Sequence, residues 1–293
     1  MNLKLPQICS TALFALLLSA SAVWGQNESK QKIRGLRDMA KEGSPAISRI
    51  VPYLQDADPE VRREAVRSLV DIGTQRSLEP LTAACRDNDP EVQIRATDGL
   101  VNFYLPGYVQ RGISASLKRA GNAVIGRWTD SANEDIVEPD TPLRPEIVSA
   151  LTTLVESGSS MDSRANAARA LGILRASSSL PALLASLNSK DSRLMFEALI
   201  ALQKIRDRSA GDRVAFFVRD LDEKVQLSAL ETAGVLVSSE AVPQLLRVLE
   251  DPRNKKVRRA AVTALARIAA PDSRQTLLPL ASDKDDEVRA SAL

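Results

Sequence analysis

The chain has 293 residues, 39 of them basic and 37 acidic, and it contains no histidine. Nearly balanced charge weighs against a dedicated nucleic-acid binder, which carries a marked basic excess. The missing histidine removes serine and cysteine triads, the commonest general base, and most zinc and non-haem iron sites.

Residues 1–25 read as a secretory signal peptide. Lys4 supplies a short positive region, Leu13 to Leu18 the apolar stretch, and Ala20-Ser21-Ala22 a small-residue cleavage site, with a cut after Gly25 as the competitor. The apolar run from Ile8 to Trp24 is broken by Ser10, Thr11, Ser19 and Ser21, and it is shorter than the roughly 20 residues a spanning helix needs. The expectation is an exported, periplasmic or extracytoplasmic protein that starts near Gln26 and keeps no integral membrane span. Cys9 leaves with the signal, so Cys85 remains alone. It follows Leu78 and Leu81 at helical spacing and is expected to be a buried, inert thiol.

From residue 45 onward the chain repeats itself. Valines or their stand-ins recur at Val61, Val92, Ser163, Leu194, Val225, Val257 and Val288, at spacings of 31, 71, 31, 31, 32 and 31. The 71 reads as two periods and nine further residues. Such a period marks a stack of similar supersecondary units. In the unit at Val61, Ala65, Leu69 and Ile72 follow at spacings of 4, 4 and 3, one apolar stripe on a helix. The alanine four residues on recurs as Ala96, Ala167, Ala198, Ala229, Ala261 and Ala292, a small residue that lets helices approach closely. A first helix carrying a proline near its start (Pro80, Pro181, Pro243) precedes several of these. Between the helices lies an acidic turn, such as Asp56 and Asp58 or Asp283 and Asp285, whose second aspartate suits an N-cap.

These residues carry a resemblance. Asp58-Pro59-Glu60-Val61-Arg62, with Ala65, Leu69, Ile72 and Gly73, resembles the short HEAT repeat of the bilin-lyase type. Asp89-Pro90-Glu91-Val92 and Asp286-Glu287-Val288-Arg289 repeat it. The resemblance implies an all-α fold, an α-solenoid of stacked antiparallel helix pairs, with about eight units of which one is degenerate. It also implies structural roles for Asp56 with Arg62, Asp251 with Arg258 and Asp283 with Arg289. Gln93 and Gln226 interrupt that ladder. The organisation expected is signal peptide 1–25, repeats 26–104, a degenerate repeat and extended loop 105–145, and repeats 146–293. The last unit, five residues beyond Val288, is incomplete.

Residues 103–145 depart from the period. Phe103, Tyr104, Tyr108 and Trp128 lie here, interleaved with Arg111, Lys118, Arg119 and Arg127, and an acidic, proline-bearing stretch from Asp130 to Pro145 follows. One degenerate helical pair is expected over Gly112 to Trp128. Aromatics beside arginine are the composition of binding hot spots. They equally suit a plug where the regular units cannot pack, and both readings stand. The candidate partner-binding residues are Phe103, Tyr104, Tyr108, Arg127 and Trp128.

Nothing in the sequence supplies a catalytic constellation. The deoxyhypusine hydroxylases hold iron with His-Glu motifs that this chain lacks, and Gly172, Gly211 and Gly234 stand alone rather than in a phosphate loop. Asp285-Asp286 at a turn suits capping better than acid–base work. Many unrelated activities share this scaffold. The expectation is a non-enzymatic protein–protein interaction scaffold without a cofactor or nucleic-acid partner. It would bind a protein through its concave face, at positions such as Arg63, Glu64, Arg67, Glu197, Gln226, Glu231, Arg258 and Arg259, and through residues 103–145. The alternative is a HEAT-fold enzyme or a tetrapyrrole-handling module.

Overall fold

The computed structural model describes residues 27–109 and 136–293, and all regular structure among them is helical. The chain forms two compact units, Met1–Pro80 and Leu81–Leu293. The expected signal peptide and the expected helical pair at Gly112 to Trp128 lie outside the described residues.

In the first unit, α1 (27–41) is followed by α2 (Ile47–Ile50), a short turn flanked by the 3-10 turns Ser44–Ala46 and Val51–Gln55, and then by α3 (Pro59–Ile72). Asp58 caps α3 by accepting from Glu60 N, Pro59 occupies the first turn, and Gly73 ends the helix at φ 59°. That left-handed cap suits glycine. Leu36, Ile50, Val61, Ala65 and Leu69 are fully buried between the helices.

Helix α1 belongs to a repeat that precedes the first valine position. Counting offsets from Gln31, which stands 30 residues before Val61, places Gly35 at the alanine position and Gly43, at φ 75°, at the cap. Ser68 Oγ donates to Leu36 O at 3.2 Å, and Lys32 Nζ reaches Asp56 Oδ2 at 3.0 Å. Helix α1 therefore packs on α3 as the second helix of a preceding unit. The valine rule missed it because Gln31 is exposed.

Helix α4 (Leu78–Ala84) spans the boundary, and the second unit takes in α5 (Pro90–Tyr104), α6 (Pro145–Ser157), α7 (Met161–Ile173), α8 (Leu180–Ser186), α9 (Ser192–Ile205), α10 (Gly211–Val214), α11 (Glu223–Leu236), α12 (Val242–Glu250), α13 (Lys255–Ile268), α14 (Arg274–Leu280) and α15 (Asp286–Ala292). Odd-numbered helices are the second helix of each pair. Their N-caps are Asp89, Ser160, Asp191, Asp222, Asn254 and Asp285. The first aspartate of the turn braces the second: Asp89 N donates to Asp87 Oδ1 at 2.8 Å, and Asp222 N to Asp220 Oδ1 at 2.8 Å. Val92, Ser163, Leu194, Val225, Val257 and Val288 are all 0% exposed. A serine can stand in that column at 163 because it joins Ser160 in a reciprocal capping box, each side chain accepting from the other's backbone N–H.

Neighbouring odd helices interlock through a second pair of offsets, nine residues after the valine position against seven in the next unit. A Cβ added at Gly172 would lie 2.6 Å from Ala201 Cα, and one at Gly234 would lie 3.0 Å from Ala264 Cα. At the matching place Gln203 reaches across instead, donating to Thr232 Oγ1 at 2.9 Å and to Ser228 O at 3.2 Å. At the helix ends, Arg175, Arg206, Val237 and Ala269 take positive φ, between 53° and 60°, where the α3 unit has Gly73.

The 71-residue spacing is a single step of the stack rather than two periods and nine. Helix α5 packs directly on α7. Asn166 Nδ2 of α7 donates to Asp98 Oδ1 of α5 at 3.1 Å, and Gln93 Oε1 accepts from Ser159 N at 3.0 Å and from Ser159 Oγ at 2.8 Å. Among the described residues no helix lies between them. The eighth odd-type helix is α1, at the other end.

Candidate functional site

The site lies where the period breaks, at the C-terminal end of α5. Asn102 Oδ1 accepts from Val109 N at 3.1 Å, so the chain doubles back after the helix. Gly107, at φ 86°, makes that reversal. On the return, Val137 N donates to Ile173 O at 3.0 Å, and Arg144 N donates to Tyr104 Oη at 3.2 Å. Residues 105–109 and 136–144 are thus held against the stack, and the Tyr104–Arg144 contact closes a neck between them.

Tyr108 is the anchor of that neck. It is 1% exposed. Burial, aided by the Asp98 carboxylate, pushes the phenol well above the ordinary tyrosine range. Arg169 grips Glu197 of α9 with both arms: Nε donates to Oε2 at 3.0 Å, and Nη2 donates to Oε1. Burial opposes the Arg169 charge, but Glu197, with Tyr108 and Asp98 behind it, more than restores it. Asp98 and Asn166 join α5 to α7, and Arg169 and Glu197 join α7 to α9.

The candidate residues separate accordingly. Phe103 and Tyr104 are half-buried and stack edge to face, with centroids 5.3 Å apart. Tyr104 and Tyr108 secure the neck, which is the plug role. Arg127 and Trp128 lie outside the described residues. Asp98, Asn166, Arg169 and Glu197 were missed. Their signal was a recurrent complementarity between six residues after the valine position and three after it in the next unit. Arg37–Glu64, Asp98–Asn166, Arg169–Glu197 and Thr263–Ser291 all obey it.

Several positions expected on an open concave face are not exposed. Glu64, Glu197 and Gln226 are buried, at 7%, 3% and 6% exposure: the two glutamates face the neighbouring odd helix, and Gln226 Nε2 donates to Val218 O at 3.1 Å within its own unit. Arg63, Glu231, Arg258 and Arg259 are half-buried, and Arg67 is exposed.

The aspartate–arginine ladder also runs differently. Arg62 Nη1 donates to the Asp56 backbone carbonyl at 2.9 Å, and Arg289 Nη1 to that of Asp283 at 2.7 Å, both within one unit. Arg258 does not turn back to Asp251. It reaches forward to the Asp283 carboxylate, with Nη2 to Oδ2 at 2.6 Å. Gln93 does not interrupt the series: its Nε2 donates to Asp87 O at 2.6 Å, an amide doing the arginine's local work. Asp285 caps α15 and accepts from Arg259 Nε at 2.9 Å, a structural role.

Cys85 is 2% exposed, and burial, partly offset by Thr97, pushes its thiol up to about 12. Such a thiol stays protonated and unreactive at neutral pH. Among the described residues no group of three or more metal-ligating side chains could hold an ion, and no helix is long and apolar enough to cross a membrane.

The family of HEAT repeats matches residues 27–101, 147–215 and 212–293. No curated protein matches the chain. Among solved structures, an engineered protein from a structural-genomics consortium is 21% identical with a TM-score of 0.52, over 89% of this chain and 72% of its own. The CpcE–CpcF complex of phycocyanin lyase from Nostoc sp. PCC7120 is 18% identical with a TM-score of 0.48, over 75% of each chain. Human deoxyhypusine hydroxylase in complex with glycerol is 18% identical with a TM-score of 0.38, over 86% of this chain and 99% of its own. At such identity the likeness concerns fold and not activity. The three family matches stop short of the neck on one side and resume beyond it on the other, and the chain belongs to the HEAT-repeat family.

Proposed function

We propose that this α-solenoid is a non-enzymatic interaction scaffold of the periplasm or cell envelope, binding a protein partner through its concave face and residues 103–145. The observation that carries the reading is the closed neck. The Tyr104–Arg144 contact and the buried Tyr108 tie down both ends of the segment between α5 and α7, two helices that also touch each other directly. A stretch secured at its base and carrying Arg127 and Trp128 has the composition of a recognition element. Pre-ordered attachment lowers the entropic cost of binding. The signal-like residues 1–25 support export.

Crosslinking and pulldown from the native envelope test the reading. Trp128→Ala and Arg127→Ala should each lower recovery of a specific partner at least tenfold, as loss of a hot-spot residue does. Helicity by circular dichroism should stay at the wild-type level. Recovery equal to wild type in both variants sinks the proposal.

A further inference from the structure

Helix α11 is assembled from parts that its neighbours avoid. On either side of it the odd helices meet through small residues: Gly172 of α7 lies against Ala201 of α9, and Gly234 of α11 against Ala264 of α13. Between α9 and α11 the same place is polar. Gln203 and Thr232 are both buried there, and Gln203 Nε2 spans the gap to Thr232 Oγ1 at 2.9 Å and Ser228 O at 3.2 Å. That bridge is incomplete. Gln203 Oε1 and Ser228 Oγ are buried without a hydrogen-bond partner, and so is Gln226 Oε1 near the start of α11. A polar atom that has left water and found no partner counts against the folded state, and such groups call for a reason beyond packing.

The helix is strained along its length as well. Thr232 Oγ1 bonds back to Ser228 O at 2.6 Å, a contact that loosens and bends helices. At the C-terminal end Val237 takes φ 56°, with its N–H turned to Ala233 O and Gly234 O. Arg175, Arg206 and Ala269 turn the corresponding corners after α7, α9 and α13. Of the four, only Val237 is branched at Cβ, and a branched residue in the left-handed region is a true outlier.

We propose that α11 is a hinge built into the stack: it opens, at its face on α9, before α7, α9 or α13 does. In a repeat array each helix pair is held by its nearest neighbours, so one poor interface is a place where the structure can part while the rest stays folded. The hinge needs no partner. Only its use, letting the surfaces on its two sides adjust to what they bind, rests on the interaction reading.

Amide hydrogen exchange of the full chain under native conditions, read by peptide mass spectrometry, tests the hinge. Amides of α11 should exchange roughly tenfold faster than those of α9 on one side and α13 on the other, the effect of a single unmade buried hydrogen bond. Rates that rise steadily from α9 through α11 to α15 would be fraying from one end and would overturn the hinge, as would α11 amides as slow as those of α9. Two repairs probe the cause. Gln203→Met with Thr232→Val replaces the polar bridge by apolar groups of similar shape. Val237→Gly puts at the helix end the residue that the left-handed cap suits. Each should slow α11 exchange severalfold and leave α7 as it is in the wild type. Where the first repair loses helicity by circular dichroism, the second decides, since it touches only the cap. Unchanged α11 exchange in a repaired chain that folds overturns the hinge. Indifference of partner recovery to Trp128→Ala is a separate result and strikes only the interaction reading.

Discussion

Asp283 is held by more than its turn. Arg258 contacts both of its oxygens, and Asp285 N donates to Oδ1 at 2.9 Å. The Arg258 hydrogen bonds, with that backbone N–H, bring its carboxyl down to about 2 from an ordinary 3.8. A carboxylate depressed in the folded state contributes stability above its unfolded value and loses it as pH falls through the folded one. The window here is about pH 4 to about pH 2. Arg258→Met should return the Asp283 titration midpoint, followed by carboxyl NMR, towards the ordinary value, and acid unfolding should begin at higher pH. A midpoint left near 2 would mean that the turn amide alone sets it. At this scale the sequence was legible where chemistry is local: the N-cap aspartates stand where the spacing put them. The partner of Arg258 was not legible, because an arginine reaches both its own turn and the next, and only helix placement decides between them.

Between elements, the sign of a glycine substitution depends on what lies opposite. Gly172 of α7 meets the Ala201 backbone of α9, where an added Cβ would sit 2.6 Å from Cα. Backbone cannot step aside cheaply, so Gly172→Ala should destabilise by roughly 1–3 kcal/mol, the range for overpacking. Gly35 sits inside α1 at the alanine offset with nothing within 4 Å. Gly35→Ala should stabilise by up to about 1 kcal/mol through helix propensity. Urea unfolding of the two variants checks both signs; a neutral Gly172→Ala would show that the helices can part there. The alanine and valine columns were legible because they lie on one helix at fixed spacing. The complementary offsets between units were not, since a residue such as Glu197 looks solvent-facing until Arg169 of the preceding helix is set beside it. Helix α1 escaped for a related reason: Gln31 and Gly35 replace the two residues by which the other units are recognised, while its cap glycine and its contacts with α3 keep the pattern.

On the scale of the molecule, stability of a repeat stack is nearly a sum of units and nearest-neighbour interfaces. Helices α5 and α7 touch directly, and the Tyr104–Arg144 contact brings the two ends of the segment between them together. Replacing residues 110–135 by a short Gly/Ser linker, which keeps Tyr108 and Val137, should therefore preserve the helicity of the remaining chain and its cooperative unfolding. Had a full unit been seated between α5 and α7, the same deletion would strip an interface from each, and melting would split or fall steeply. Circular dichroism with a thermal melt separates the outcomes. The period made the stack readable, but its one long gap could be filled by a packed unit or by an excursion. Only the Asp98–Asn166 and Gln93–Ser159 contacts decide. Direct seating of α5 on α7 has an evolutionary consequence as well. Length and composition between the two helices are released from the arithmetic that binds every other part of the chain. Descendants of this sequence should keep their 31-residue beat almost unchanged while gaining, losing or rewriting residues at this one junction, so that new specificities arise there without disturbing the frame that carries them.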